Sequence, residues 1–270
     1  MFERILLPVD DGEWSLRAIE MLPLLAAPQA RIELLHVLPR SEDTESQLPQ
    51  RGAGRKLLQE RVTQIHEFGD WKVVPELATG DLVEVLEERV ASFEPDLTLM
   101  GSQGRKGLAR WIFGSVAARF VKSCPCPILV VKPEGRSFSR LDRVVLATDF
   151  SDYARAARDA VLRLAQDMTE RETRELYVLH VFEDGVSEGR AQEDMDRELA
   201  EMRELGLEGV GRVAEGDASV CIEALVNEVG AQLVVLGTQG GAEHERGWLG
   251  STMDRTLSRV TSPVLVVPAP

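Results

Sequence analysis

Cysteine is scarce in this chain, with Cys124, Cys126 and Cys221 the only thiols in 270 residues. An odd, sparse set does not build a disulfide framework and suits a reducing compartment. No segment approaches the roughly 18 uninterrupted apolar residues of a membrane span, so none is expected. The N-terminal sequence MFERILLPVDD lacks a charged stretch running into an apolar segment and cleavage site, so no leader is expected either. Positive charge is also in deficit: 31 Lys and Arg stand against 45 Asp and Glu, a formal net charge of −14. Such a surface repels nucleic-acid phosphates and anionic membranes, while leaving room for a local basic pocket that holds a small anion. Together these absences predict a cytoplasmic protein that binds neither nucleic acid nor membrane.

What is present is an ordinary globular composition, 44% hydrophobic and 28% charged, long enough for one large domain or two of about 135 residues. An internal repeat decides between them. Arg4-Ile-Leu-Leu-Pro-Val-Asp10 returns as Arg143-Val-Val-Leu-Ala-Thr-Asp149, and Ile32-Glu-Leu-Leu-His-Val37 as Leu176-Tyr-Val-Leu-His-Val181. Gly80-Asp81 and Gly216-Asp217 each open a helical stretch. Asp96-Leu-Thr-Leu-Met-Gly-Ser-Gln-Gly104 lines up with Gln232-Leu-Val-Val-Leu-Gly-Thr-Gln-Gly240, and both copies finish on a proline followed by four apolar residues. The offset is slightly larger at the aspartates than at the glycines, as short loop insertions would make it. The chain reads as a duplication: residues 1–133, a polar linker over 134–142, and residues 143–270.

Within the first copy, apolar runs predict strands near 3–9, 31–37, 71–77, 96–100 and 127–132. Amphipathic spacing predicts helices near 13–26, 55–68, 81–92 and 114–123. Residues 41–55 are polar and turn-rich and read as a surface loop, with a shorter counterpart over 183–192. Runs such as Leu233-Val-Val-Leu236 are apolar on both faces, as in parallel strands covered on each side. Strand–helix alternation five times over implies, in each copy, an α/β doubly wound Rossmann-like domain with a five-stranded parallel sheet and helices on both faces. Ligands of such folds sit beyond the carboxyl ends of the strands, where strand order reverses.

The sharpest pattern lies at such an end: Gly101-x2-Gly104-x9-Gly114-Ser115, repeated as Gly237-x2-Gly240-x9-Gly250-Ser251. Each begins where an apolar strand stops and ends where a helix starts. Glycine at the strand end brings no Cβ against a phosphate. Successive exposed N–H groups make an anion-binding concavity, and the closing Gly-Ser places donors at a helix N-terminus, where the dipole favours negative charge.

With these residues on the page, the sequence resembles the universal stress protein family over essentially its whole length, as two successive domains. The resemblance implies that the glycine loop holds ribose and phosphates of ATP, with Gly101, Gly104, Arg105, Gly114, Ser115 and Val116 in the first copy. In the second copy it implies Gly237, Gly240, Gly250, Ser251 and Thr252. It implies that Asp10 and Asp149 contact the adenine and that Val37 and Val181 pack on the base. Pro8, Val9, Met100 and Thr148 line the same pockets. The implied ligand is ATP, with Mg²⁺, in a stress or regulatory protein whose partner contacts follow occupancy. The implied assembly pairs the terminal strands, between the two copies or in a homodimer.

The loops differ in charge. Arg105, Lys106 and Arg110 in the first would neutralise phosphates, whereas Glu243, His244 and Glu245 leave Arg246 alone in the second. The first site is therefore expected to bind more strongly. A slow ATPase or phosphotransferase remains an alternative, although the P-loop pattern G-x4-G-K-(S/T), an adjacent nucleophile and base, and a Ser-Gly-Gly pyrophosphate loop after Asp10 are all missing. A scaffold that binds no nucleotide is a third reading. Cys124-Pro-Cys126 is too closely spaced for a typical zinc pair and reads as small residues leading into the last strand, with a redox role as the alternative. His36 and His180 recur at matched strand ends, as rim or packing residues or as acid–base groups. Trp111 and Trp248 occupy equivalent places in the glycine loops. The acidic run over 193–204 reads as the solvated face of a helix.

Overall fold

The computed structural model describes residues 1–40, 44–101, 115–132, 138–166, 175–182, 187–238 and 251–268. The chain divides into two compact units, one drawn mainly from each half. In the first, β1 (Phe2–Pro8), β2 (Ala26–Leu38), β3 (Lys72–Thr79), β4 (Leu97–Gly101) and β5 (Ile128–Val131) alternate with α1 (Glu13–Leu25), α2 (Thr44–Phe68), α3 (Leu82–Phe93) and α4 (Ser115–Ser123). The strands are parallel, in the order β3-β2-β1-β4-β5.

The second unit repeats this plan. Its strands are β6 (Arg143–Thr148), β7 (Glu175–Phe182), β8 (Val210–Glu215), β9 (Leu233–Gly237) and β10 (Val264–Val267). Its helices are α5 (Asp152–Gln166), α6 (Glu188–Glu204), α7 (Ala218–Val229) and α8 (Ser251–Arg259). The parallel order β8-β7-β6-β9-β10 is the same order carried over. In both units the first strand sits centrally and the winding reverses between it and the fourth, so their carboxyl ends frame the crevice where α/β folds take ligands.

The apolar runs form these sheets because both faces are covered. Ile5, Leu6 and Leu7 are fully buried in β1, as are Leu233, Val234 and Val235 in β9. The repeat extends to the fastening of the central strands. Asp96 accepts the N–H groups of Glu3 and Arg4 at 2.8 and 2.9 Å, and Gln232 Oε1 accepts those of Asp142 and Arg143 at 2.9 and 2.7 Å. Asp81 and Asp217 cap α3 and α7, as Gly-Asp predicted. Asp81 accepts from Val83 N at 3.0 Å, and Asp217 accepts from Ser219 N at 2.9 Å.

Two expectations need correction. Residues 41–55 are not a loop throughout, because α2 runs from Thr44. Pro49, Gly52 and Gly54 read as turn residues in sequence, but Gly54 serves packing: a Cβ there would lie 2.8 Å from Leu77 Cδ1 and 3.1 Å from His36 Cδ2. Gly54, Leu58, Arg61 and Ile65 then form one buried stripe at helical spacing. In the second unit α6 likewise begins at Glu188, capped by Ser187, within the stretch read as a loop over 183–192. The acidic run over 193–204 is helical and largely exposed. Glu198 is the exception among its acidic residues, buried against Arg158 of α5 with Nη1 to Oε1 at 3.3 Å.

Candidate functional site

In the first unit, β1 ends in Pro8 and passes through buried Val9 to half-buried Asp10. Gly12 opens the turn into α1, which folds back at once onto the aspartate. Asp10 Oδ1 accepts from Gly12 N at 2.6 Å and from Ser15 Oγ at 3.2 Å, and Oδ2 accepts from Trp14 Nε1 at 3.2 Å. The Asp10 N–H in turn donates to Ser15 Oγ at 2.9 Å. The buried Arg61 donates through Nη2 to the Asp10 carbonyl at 3.2 Å and through Nη1 to Gln64 at 2.9 Å, while its Nε has no partner among the described residues.

Trp14 then reaches across to β4. The indole lies directly on Gly101, so that a Cβ at that position would overlap the Trp14 ring. Glycine is required here by close approach of a side chain from within the chain. Met100, one residue earlier, is buried, and Val37 at the end of β2 is half-buried. Thus the structure brings Asp10 and Gly101 together through Trp14. Ser115 and Val116 open α4. Gly104, Arg105 and Gly114 lie outside the described residues, as do the basic Lys106 and Arg110 and the loop tryptophan Trp111.

The second unit differs at this place. Thr148 ends β6, buried, and its Oγ1 accepts the Phe150 N–H at 3.0 Å. Asp149 is exposed, and its Oδ1 accepts from Ser151 N at 3.1 Å and Ser151 Oγ at 2.5 Å. Phe150 takes a left-handed φ of 62° and sets its ring 4.3 Å from that of His180. Gly237 ends β9 half-buried, Val181 is half-buried on β7, and Ser251 and exposed Thr252 begin α8. Gly240 and Gly250 lie outside the described residues, with Glu243, His244, Glu245, Arg246 and Trp248.

The two matched histidines do one job. His36 Nδ1 lies 2.8 Å from the Val9 carbonyl and His180 Nδ1 lies 2.9 Å from the Thr148 carbonyl. A carbonyl only accepts, so Nδ1 carries the hydrogen in both, and each ring ties the end of the second strand to that of the first. This is a rim and packing role.

Sequence reasoning missed Trp14, Ser15 and Arg61. Trp14 and Ser15 stand within five residues of Asp10 and read as the start of a helix. Arg61 betrays itself only as a charged residue within an otherwise small and apolar stripe. A cavity of about 430 Å³ opens elsewhere in the first unit, between α3 and the turn from α4 to β5, and neither aspartate lines it. Among the described residues no cluster of three or more His, Cys, Asp or Glu is gathered for a metal, and no helix is long and apolar enough to cross a membrane.

Comparison with known proteins agrees with the duplication. The model of the Universal stress protein family matches residues 1–132 and again residues 140–268. A universal stress protein of Methanocaldococcus jannaschii is 31% identical over 147 residues, covering 49% of this chain and 83% of that protein. One from Mycobacterium tuberculosis is 28% identical over 188 residues, 65% of this chain, and the match spans only 62% of that relative's length. Among solved structures, a universal stress protein from Archaeoglobus fulgidus superposes with a TM-score of 0.78 at 24% identity, covering 98% of this chain and 96% of that one. A universal stress protein from Pseudomonas aeruginosa gives 0.68 at 19% identity, covering 99% and 93%. At these identities the structural matches speak for the fold.

Proposed function

This chain belongs to the universal stress protein family, as two tandem copies of its domain, and from that premise we propose that it binds adenine nucleotide at the strand ends of each copy. The nucleotide is ATP, bringing Mg²⁺ on its phosphates, and occupancy alters the contacts the protein makes with a partner in the stress response.

One observation carries this reading. The same three groups, a strand-end aspartate, a strand-end glycine and a helix opening on serine, recur in both units at the reversal of an identical strand order. In the first unit they are Asp10, Gly101 and Ser115; in the second, Asp149, Gly237 and Ser251. Strand-end carboxylates accept from an exocyclic amine, half-buried Val37 and Val181 offer apolar contact to a base, and helix N-termini favour phosphate.

The proposed sites are unequal. The first has the more cationic loop sequence, but its aspartate is already held by three donors and its glycine is covered by Trp14. The second has the more exposed aspartate and the more acidic loop sequence. Calorimetric titration of ligand-stripped protein with Mg²⁺-ATP tests the proposal, with Asp10→Asn and Asp149→Asn each expected to weaken one of two binding events. No heat of binding at millimolar nucleotide overturns it. Released phosphate, measured in the same samples, distinguishes binding from turnover.

A further inference from the structure

Cys124 and Cys126 face each other across the turn from α4 to β5, with Sγ to Sγ at 3.4 Å. The two residues are only 5% and 7% exposed, yet both line the cavity of about 430 Å³ whose opposite wall includes Glu87 and Val90 of α3. The pair is therefore shielded from bulk solvent except where it lines this cavity, which opens at the surface. The backbone holds it there. Cys124 N donates to Phe120 O at 2.9 Å in the last turn of α4, and Thr98 N donates to Pro127 O at 2.9 Å on the far side. Pro125 and Pro127 restrict φ on either side of Cys126. Thr98 Oγ1, from β4, lies 3.4 Å from Cys126 Sγ and fixes its direction.

We propose that Cys124 and Cys126 form a thiol–disulfide couple oxidised by hydrogen peroxide entering through this cavity, a reversible modification site independent of the nucleotide reading. The Cys126 sulfur attacks one peroxide oxygen and the O–O bond breaks. The departing hydroxide takes the thiol proton and leaves as water, and Cys126 becomes a sulfenic acid. Cys124 then attacks that sulfur, the S–S bond forms and the S–O bond breaks. A second water departs with the proton of Cys124. The two thiols lose two electrons and two protons, and the peroxide takes up both; a dithiol reductant reverses the change.

The roles follow from the hydrogen bonds. Cys126 Sγ has two polar neighbours, Cys124 Sγ and Thr98 Oγ1, each at 3.4 Å, and with both donating to it the thiol is held below the usual range despite its burial. The hydrogen bond to Cys126, with burial, pushes Cys124 up. Since the thiolate is the nucleophile, Cys126 attacks and Cys124 resolves. Glu87, fixed by Ser123 Oγ at 2.6 Å, and Glu94 both line the cavity, and their carboxylates oppose an anionic peptide disulfide while leaving a small neutral peroxide unhindered. Cys221 serves as an internal control, because burial and the Asp217 carboxylate push its thiol up.

The test uses the full chain, reduced, desalted and treated with equimolar hydrogen peroxide. Intact mass is expected to fall by about 2 Da, the two hydrogens lost on oxidation. Alkylation after denaturation is then expected at Cys221 alone, and at all three cysteines once dithiothreitol is added. In Cys124→Ser the sulfenic acid has no resolving partner, so the mass rises by whole oxygen atoms and a dimedone adduct appears at Cys126. In Cys126→Ser oxidation at Cys124 is expected to slow by about tenfold or more. Cys221→Ser leaves the mass loss intact. A wild-type chain that keeps all three thiols, gains oxygen without losing hydrogen, or forms its disulfide through Cys221 overturns the proposal. The wild-type measurement decides even where a variant fails to fold.

Discussion

At the end of β1 the aspartate is gathered in by its own helix; at the end of β6 its counterpart stands exposed and accepts from Ser151. The frameworks around the two are alike, down to the histidine that ties neighbouring strand ends at 2.8 and 2.9 Å. What differs is the handful of residues that follow. Asp11-Gly12-Glu13-Trp14-Ser15 in the first unit becomes Phe150-Ser151-Asp152-Tyr153-Ala154 in the second. The hydroxyl that satisfies the carboxylate therefore comes from five residues on in one unit and two residues on in the other. Duplication kept what the sheet needs and let the finish of each crevice drift. The difference separates parts that the fold constrains from parts that it leaves free to vary.

The largest test of that separation is Arg89→Ala. It leaves Glu33, 2% exposed, without the two 2.6 Å hydrogen bonds it now accepts, and about 3 kcal/mol of stability should be lost. Hydrogen exchange resolved by segment should place that loss in the first unit; equal loss in both would mean the units unfold as one block. Next, Gly101→Val should destabilise by about 1–3 kcal/mol through overlap with the indole. Adding Trp14→Ala should recover part of the loss in thermal denaturation. On the proposed nucleotide reading, Trp14→Ala alone should tighten the first site several-fold, by up to about 1 kcal/mol, by removing the group that covers Gly101. Tyr153→Ala should leave the second site unchanged in the same calorimetric titration.

Smaller effects probe what the units share. Asp81→Ala and Asp217→Ala should each cost about 1 kcal/mol as lost helix caps. Asp217 is held below the usual carboxylate range, first by the Ser219 hydroxyl and also by Val220 N–H and Arg255. Because its folded pKa is depressed, that contribution is present above the unfolded value near about 4 and fades as pH falls through the folded one. Melting curves of wild type and Asp217→Ala should accordingly converge in acid. The smallest difference is at the ends of α3 and α7, where Glu94 and Gly230 both adopt left-handed conformations, φ 47° and 63°. Glu94→Gly should stabilise by about 0.5–1 kcal/mol and Gly230→Glu should destabilise by a similar amount, both read by chemical denaturation.

The sheet was legible because its signals are local. Five apolar runs per copy, two Gly-Asp caps and two matched strand-end aspartates survive as sequence patterns whatever packs against them. The start of α2 was not legible. Pro49, Gly52 and Gly54 argue for a turn, and only the close approach of Gly54 to His36 and Leu77 shows why a helix continues through them. Trp14 was hidden for a related reason. Its helical spacing fits a helix start, while its reach to Gly101, 87 positions later, depends on β1 and β4 being neighbours. Glu198 lies in an acidic run that predicts solvent, and it is buried because Arg158 comes from a different helix.

The placement of Trp14 bears on how the chain would respond to a changing supply of ligand. Any molecule settling on Gly101 must first displace an indole that the chain itself supplies, so part of its binding energy goes into that exchange. On the proposed nucleotide reading, two crevices that differ in this way would saturate at different concentrations. A single polypeptide would then respond over a wider span than a pair of identical pockets, with a shallow rise in place of a steep one.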